Sequence, residues 1–475
     1  MYTYVKYIVY YAHNRDTLIR NLNNELKKPL LEINYHLFFD NFSITTRNVS
    51  GQNEASNILD FSDHKTWFWS ITEFVVDNVS SFVYSNIIRN ANTVSDLHNA
   101  DFSNCEFEIS KLWKLLFLMP PSGNIVTHNT GGSPLNAASN NRISEAIGVI
   151  EFDLKYRSTS YLLTELVANL EKKINTALCN KSWYSTWVIL KKLLNGTIDN
   201  CLAGSQELSE LPEGWISLIF ERRAITPIKT FMSYILELNI ETTREAIQFN
   251  NSYNKYRDKF ISDRLRTLRN DPAPIEVISG LRLVSKDEAG VEKTKIIINS
   301  ERPRIIPNQV PQQNSVGATH NNQVINNSTN QIFSYTLCTN LDQGLLVDLE
   351  HTIFMNFNSK FKKQQDGSLT GSAECMLIND VNFYTAAETP TLQQKLNSRI
   401  LIGALICDKS KIADGDESGL SAQRPIRRRS TNSILEKLES NLYPNVEIQA
   451  WTLKSSFFSL KQQQPSPPLQ QKYQD

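Results

Sequence analysis

The chain is 475 residues long and carries 49 Lys and Arg against 49 Asp and Glu, so no global charge bias points to a nucleic-acid coat or an acidic solvating chain. Hydrophobic residues make up 40% and charged residues 21%, enough to bury a sizeable core in two or three domains and too apolar for a disordered protein. The cysteines (Cys105, Cys179, Cys201, Cys338, Cys375, Cys407) form no C-x-x-C pair, which favours reduced thiols in the cytosol or nucleus over a disulfide framework.

The aromatic opening, Tyr2–Ala12, lacks the basic start and small-residue cleavage site of a secretory signal. No apolar run reaches the ~18 residues that a membrane-spanning helix needs, so the expectation is an intracellular protein, nuclear or cytoplasmic, without a transmembrane segment. Asp16 is placed to cap a helix that Pro29 ends, and residues 31–46 read as a strand. Ser62 caps a helix predicted to reach Asn90, with Trp67, Ile71, Phe74, Val75, Val79, Phe82 and Val83 as its apolar stripe. Residues 107–119 form a further apolar element, and residues 120–141, rich in Pro and Gly, a loop.

The stretch 150–195 is the predicted nucleus of the core. In IEFDLKY, Ile150, Phe152, Leu154 and Tyr156 alternate with Glu151, Asp153 and Lys155, the period of a strand with one buried face. Leu162, Leu163, Leu166, Val167, Leu170, Ile174 and Leu178 then recur at helical spacing behind Ser158 and Ser160 as capping residues. A second helix from Ser182 is predicted to stop at Gly196. Helices are expected over 212–222 and 226–238, the latter starting at Thr226-Pro227, and a long one from Thr242 or Thr243 to Arg269. Residues 275–285 and 291–299 read as a β-hairpin turned at Gly290.

Residues 300–331, with Pro303, Pro307, Pro311 and many Asn and Gln, read as a linker. The predicted fold class is therefore helix-rich α+β: a larger, mostly helical domain with a few strands over 1–299, and a smaller α+β domain over 332–460. Within the second part Ile400, Ile402, Ala404 and Ile406 alternate like a strand, 409–431 reads as a disordered loop, a helix is expected over 433–442 and a strand over 446–460. Residues 461–475 are a Gln/Pro-rich tail containing Pro465-Ser466-Pro467-Pro468, a candidate polyproline ligand.

Motif chemistry is sparse. The chain has no G-x-x-x-x-G-K-[ST], G-x-G-x-x-G or G-x-S-x-G, and its seven histidines include no pair at i, i+4. No cofactor or metal is implied, and a catalytic site would have to be assembled from distant positions. Two local features stand out. On the predicted long helix, Lys255, Lys259, Arg266 and Arg269 gather on one face, a candidate contact for nucleic-acid phosphates or an acidic partner, with a solvated helix back as the alternative. In the predicted loop, Arg427, Arg428 and Arg429 precede Ser430, a candidate phosphorylation site for a basic-directed protein kinase or a nuclear-localisation patch.

These features lead to a non-catalytic scaffold or regulatory subunit of an intracellular multiprotein complex, whose partners are other protein subunits. The alternatives are a nucleic-acid-associated protein using residues 253–269 and an enzyme whose site exists only in the fold.

Overall fold

The computed structural model describes residues 15–33, 64–118, 147–148, 150–156, 161–203, 213–243, 260–261, 263–264, 281–287, 290, 292–300, 318–339, 341–348, 351–357, 360–380 and 396–414. The helices are α1 (Arg15–Lys27), α2 (His64–Phe82), α3 (Val94–His98), α4 (Ile109–Leu116), α5 (Tyr161–Leu178), α6 (Trp183–Ala203), α7 (Glu213–Phe220), α8 (Thr226–Leu236), α9 (Ala318–Thr339) and α10 (Ser398–Asp414). The strands are β1 (Ile150–Tyr156), β2 (Asn239–Thr243), β3 (Leu281–Lys286), β4 (Glu292–Ser300), β5 (Gln343–Val347), β6 (His351–Phe357), β7 (Lys362–Lys363) and β8 (Leu369–Asn379).

All of these strands lie in one mixed sheet of order β1-β8-β6-β5-β4-β3-β2, with β7 paired to β8. β1 runs parallel to β8 and β4 parallel to β5; the other pairs are antiparallel. The fold is thus α+β, as expected, but its sheet draws strands from both sides of the predicted linker: β1 to β4 come before α9 in the chain and β5 to β8 after it. Part of the predicted linker is itself a helix, because 318–331 begins α9, which supplies the crossover between parallel β4 and β5. Three of that helix's polar residues, Asn326, Asn330 and Gln331, bond to the sheet.

The central strands are buried on both sides, and the period of two sorts their side chains cleanly. Ile296, Ile298, Leu345, Val347, Phe354, Met376 and Ile378 enter one core, and Ile297, Leu346, Ile353, Met355, Cys375 and Leu377 the other. The second core is closed by α9 through Ile332, Phe333, Tyr335 and Leu337. At Gly344 a Cβ would stand 2.3 Å from Ile332 Cγ2, so glycine lets α9 sit down on β5. Asn326 and Asn330 of α9 reach the outer edge of β1 and bond the backbone of Ile150 and Phe152.

The first core holds most of the helices. The stripe predicted for α5 is realised at Val167, Leu170, Ile174 and Leu178, all buried. α6 does not end at Gly196 but continues to Ala203. Helix α8 does carry Pro227 at its start, yet Thr226 is no cap: the chain arrives from α7 through a π-helical segment, Glu221–Ile225, without leaving helical conformation. Thr242 and Thr243 end strand β2 rather than begin a helix. Asp16 likewise lies inside the first turn of α1, one residue past its start.

The largest difference concerns α10. The alternation at Ile400, Ile402, Ala404 and Ile406 belongs to a helix, and every residue from Ser398 to Cys407 is buried. A helix enclosed on all sides needs no polar face, so its sequence has no 3.6-residue stripe to betray it. It also runs through 409–414, six residues of the predicted loop. Gly403 lets it touch α4, since a Cβ there would lie 2.5 Å from Phe117 Cε1. The predicted elements at 433–442 and 446–460, the loops at 120–141 and 415–431, and the tail lie outside the described residues.

Candidate functional site

The strongest concentration of polar chemistry among the described residues is a buried seam where β6 and β8 meet the first turn of α10. It has two halves. In the first, the carboxylate of Asp348, the residue after β5, accepts the His351 backbone N–H at 2.7 Å and faces His351 Nδ1 at 3.3 Å. The amide nitrogen of Asn379, the cross-strand neighbour of His351, lies 3.2 Å from Nε2. With that amide donating to Nε2, the ring proton sits on Nδ1 and donates to Asp348.

In the second half, Ser398 opens α10. Its backbone N–H donates to Asp380 Oδ1 at 2.8 Å, its hydroxyl donates to Asp380 Oδ2 at 2.7 Å, and the same hydroxyl lies 2.6 Å from Thr352 Oγ1. The preceding residue, Asn397, is the helix cap: Oδ1 accepts from the N–H groups of Arg399 and Ile400 at 2.9 and 3.1 Å. Two side chains therefore serve three first-turn amides that water cannot reach. Burial pushes the Asp380 carboxyl up to about 6, against the opposing pull of the Ser398 bonds, Arg223 and His351.

Arg399 extends the seam into the helical core with its side chain 0% exposed. Its guanidinium donates to the carbonyls of Arg223 (2.8 Å from Nε), Leu116 (2.8 Å) and Leu118 (2.9 Å), and to Thr197 Oγ1 at 3.4 Å. These carbonyls come from the end of α4 and from the π segment, places where the backbone ladder leaves acceptors open. The cation is thus the common donor for the end of α4 and the π segment.

The residue types invite comparison with a nucleophile–base site, but the geometry differs. Ser398 gives its proton to a carboxylate rather than to the imidazole, and His351 Nε2, the atom a nucleophile would need, faces Asn379. Asp348, His351, Thr352, Ser398 and Arg399 are each at most 1% exposed. What the arrangement does is tie strand ends to a helix start. No group of three metal-ligating side chains occurs among the described residues.

The basic residues singled out from the sequence, Lys255, Lys259, Arg266 and Arg269, lie outside the described residues, as do Arg427, Arg428, Arg429 and Ser430. Between the first four, Ile261 is buried in the core behind α9, and Arg264 donates to the Ile147 carbonyl. Phe260 is 42% exposed, with Lys363 Nζ 5.7 Å above its ring.

Sequence reasoning missed the seam. The readable signal was Asn397-Ser398 ahead of the apolar run, a helix-start signature. Nothing local pairs Ser398 with Asp380 or His351 with Asn379; those partners are set by sheet register. No helix among the described residues is long and apolar enough to cross a membrane. No protein-family model, no curated protein and no solved structure matches this chain.

Proposed function

We propose that the chain is a non-catalytic scaffold or regulatory subunit of an intracellular multiprotein complex, nuclear or cytoplasmic, working through protein–protein contacts. The observation that supports the reading is the seam itself. The histidine, serine, arginine and aspartates best suited to chemistry are sealed in the core; Asp348 with His351 and Asp380 with Ser398 bond to each other, and Arg399 bonds to main-chain carbonyls. A reacting group must meet its substrate, and these cannot without the core opening. In this reading Arg427–Arg429 and Ser430 serve as a regulatory or localisation patch, with Ser430 as a candidate substrate of a basic-directed protein kinase.

The test is purification of the full chain at its native level from its own cell, with subunit ratios quantified after nuclease treatment. A set of proteins at fixed stoichiometry that survives the nuclease supports the proposal. Salt-sensitive affinity for DNA or RNA that disappears on replacing Lys255, Lys259, Arg266 and Arg269 with Ala would instead establish the nucleic-acid reading. Turnover of a small molecule, abolished by His351→Asn in a folded protein, would establish an enzyme.

A further inference from the structure

Helix α9 guards only the first half of the free edge of β1. Its Asn330 and Asn326 take both backbone groups of Ile150 and the N–H of Phe152. Backbone groups along a strand point alternately to its two sides, so those of Leu154 and Tyr156 face the way of Ile150 and Phe152, away from β8. The Phe152 carbonyl and both groups of Leu154 and Tyr156 meet no outward partner among the described residues. That open row is centred on Leu154. The side chains of Leu154 and Tyr156 are only partly buried at the rim of the second core, so a further strand here would extend that core.

The charge pattern has the same centre. Glu151 and Asp153 precede Leu154, Lys155 and Arg157 follow it, and the aromatics Phe152 and Tyr156 lie between them. Read backwards, the segment exchanges every acid for a base and keeps its aromatics in place. When two such strands pair antiparallel about Leu154, Asp153 of each stands opposite Lys155 of the other, and Phe152 opposite Tyr156. The two Leu154 residues, with their groups pointing outward, form a hydrogen-bonded pair, and each Tyr156 N–H meets the other copy's Phe152 carbonyl. A centre one residue to either side would set Asp153 against Asp153 or Lys155 against Lys155. Within one chain Asp153 and Lys155 are 59% and 58% exposed, 3.7 Å apart. A lone edge lysine repels a second copy; an aspartate on the other side of the two-fold attracts one.

We propose that β1 is a self-association edge: two copies of this chain pair their β1 strands antiparallel through Phe152–Tyr156, on a two-fold axis at Leu154, and join two sheets into one. A strand pair this short makes a reversible, concentration-dependent dimer rather than a permanent one.

The pairing needs no other protein, so it is tested on the purified full chain, apart from the complex proposed above. Sedimentation equilibrium of wild type at concentrations up to about 100 μM should show a 54.3 kDa monomer passing reversibly to a particle of twice that mass. Asp153→Lys and Lys155→Asp each turn both cross-strand charge pairs repulsive, and each alone should weaken self-association about tenfold or more. Both side chains are more than half exposed, so neither substitution reaches the core. Mixed in equal amounts, the two variants face each other with opposite charges and should pair about as tightly as wild type, a recovery that excludes misfolding as the cause of the loss. Wild type that stays at 54.3 kDa throughout the series overturns the proposal. So does a dimer that either single variant leaves intact, or a failure of the two variants to pair on mixing.

Discussion

The side-chain amide of Asn330 holds both backbone polar groups of Ile150: the Ile150 N–H donates to Oδ1 at 3.0 Å, and Nδ2 donates to the Ile150 carbonyl at 2.8 Å. Asn326, one helical turn earlier, accepts the Phe152 N–H at 3.2 Å. A helix thereby takes the place of a neighbouring strand along the free edge of β1, an edge otherwise open to pairing with another chain.

Replacing Asn330 with Leu, which keeps the volume but offers no polar atom, leaves both Ile150 groups without that partner. The expected loss is about 2–3 kcal/mol of unfolding free energy. Urea titration measures it, and a loss below about 0.5 kcal/mol would mean that the clasp is incidental.

Gly403→Ala should destabilise by about 1–3 kcal/mol, because the new methyl enters the Phe117 ring, 2.5 Å from Cε1. The cost should shrink in a Phe117→Leu background, since the smaller side chain frees the space. A double-mutant cycle with no coupling between the two positions would contradict the packing of α10 on α4.

Arg399→Met keeps much of the side-chain length but leaves the Arg223, Leu116 and Leu118 carbonyls without their common donor. A loss of about 3–5 kcal/mol is expected, at about 1–3 kcal/mol for each buried carbonyl left without a donor, enough to unfold a marginal domain. Arg399→Lys, with fewer donors on one nitrogen, should fall between the two. Equal stability of the Met and Lys variants in a thermal or urea melt would argue against the multi-carbonyl grip.

Thiol reactivity should follow position. Cys179 is exposed, whereas Cys375 and Cys407 are buried, and burial pushes the Cys375 thiol up to about 12. A maleimide or iodoacetamide pulse on native protein should label Cys179 within minutes and leave Cys375 and Cys407 untouched until denaturant is added. Early labelling of Cys375, read by peptide mapping, would contradict its place in the second core.

How much of this was legible depends on whether an element shows one face to water. β1 and α5 could be read because Glu151 and Asp153, or the polar back of α5, mark the outer side. The β3–β4 hairpin was readable from apolar runs broken at Gly290, which has φ +79°. Helix α10 was not, since burial on all sides replaces its stripe with an unbroken apolar run. Helix α9 was hidden for the opposite reason: Asn326, Asn330 and Gln331 carry linker composition, yet they bond to Phe152, Ile150 and Asn299. The seam depends on register. His351 meets Asn379 because β6 and β8 pair antiparallel, and Ser398 meets Asp380 across 17 intervening residues, which no local pattern encodes.

In the function proposed above, this chain acts by surface contact while its polar core serves architecture. The most direct measurement is the native mass of the endogenous chain in fresh extract, by sedimentation, with and without nuclease. The account predicts a particle well above the 54.3 kDa of the single chain, unchanged by nuclease and containing other proteins at fixed ratios. A 54.3 kDa monomer, or a particle that falls to that mass when nucleic acid is digested, would contradict it.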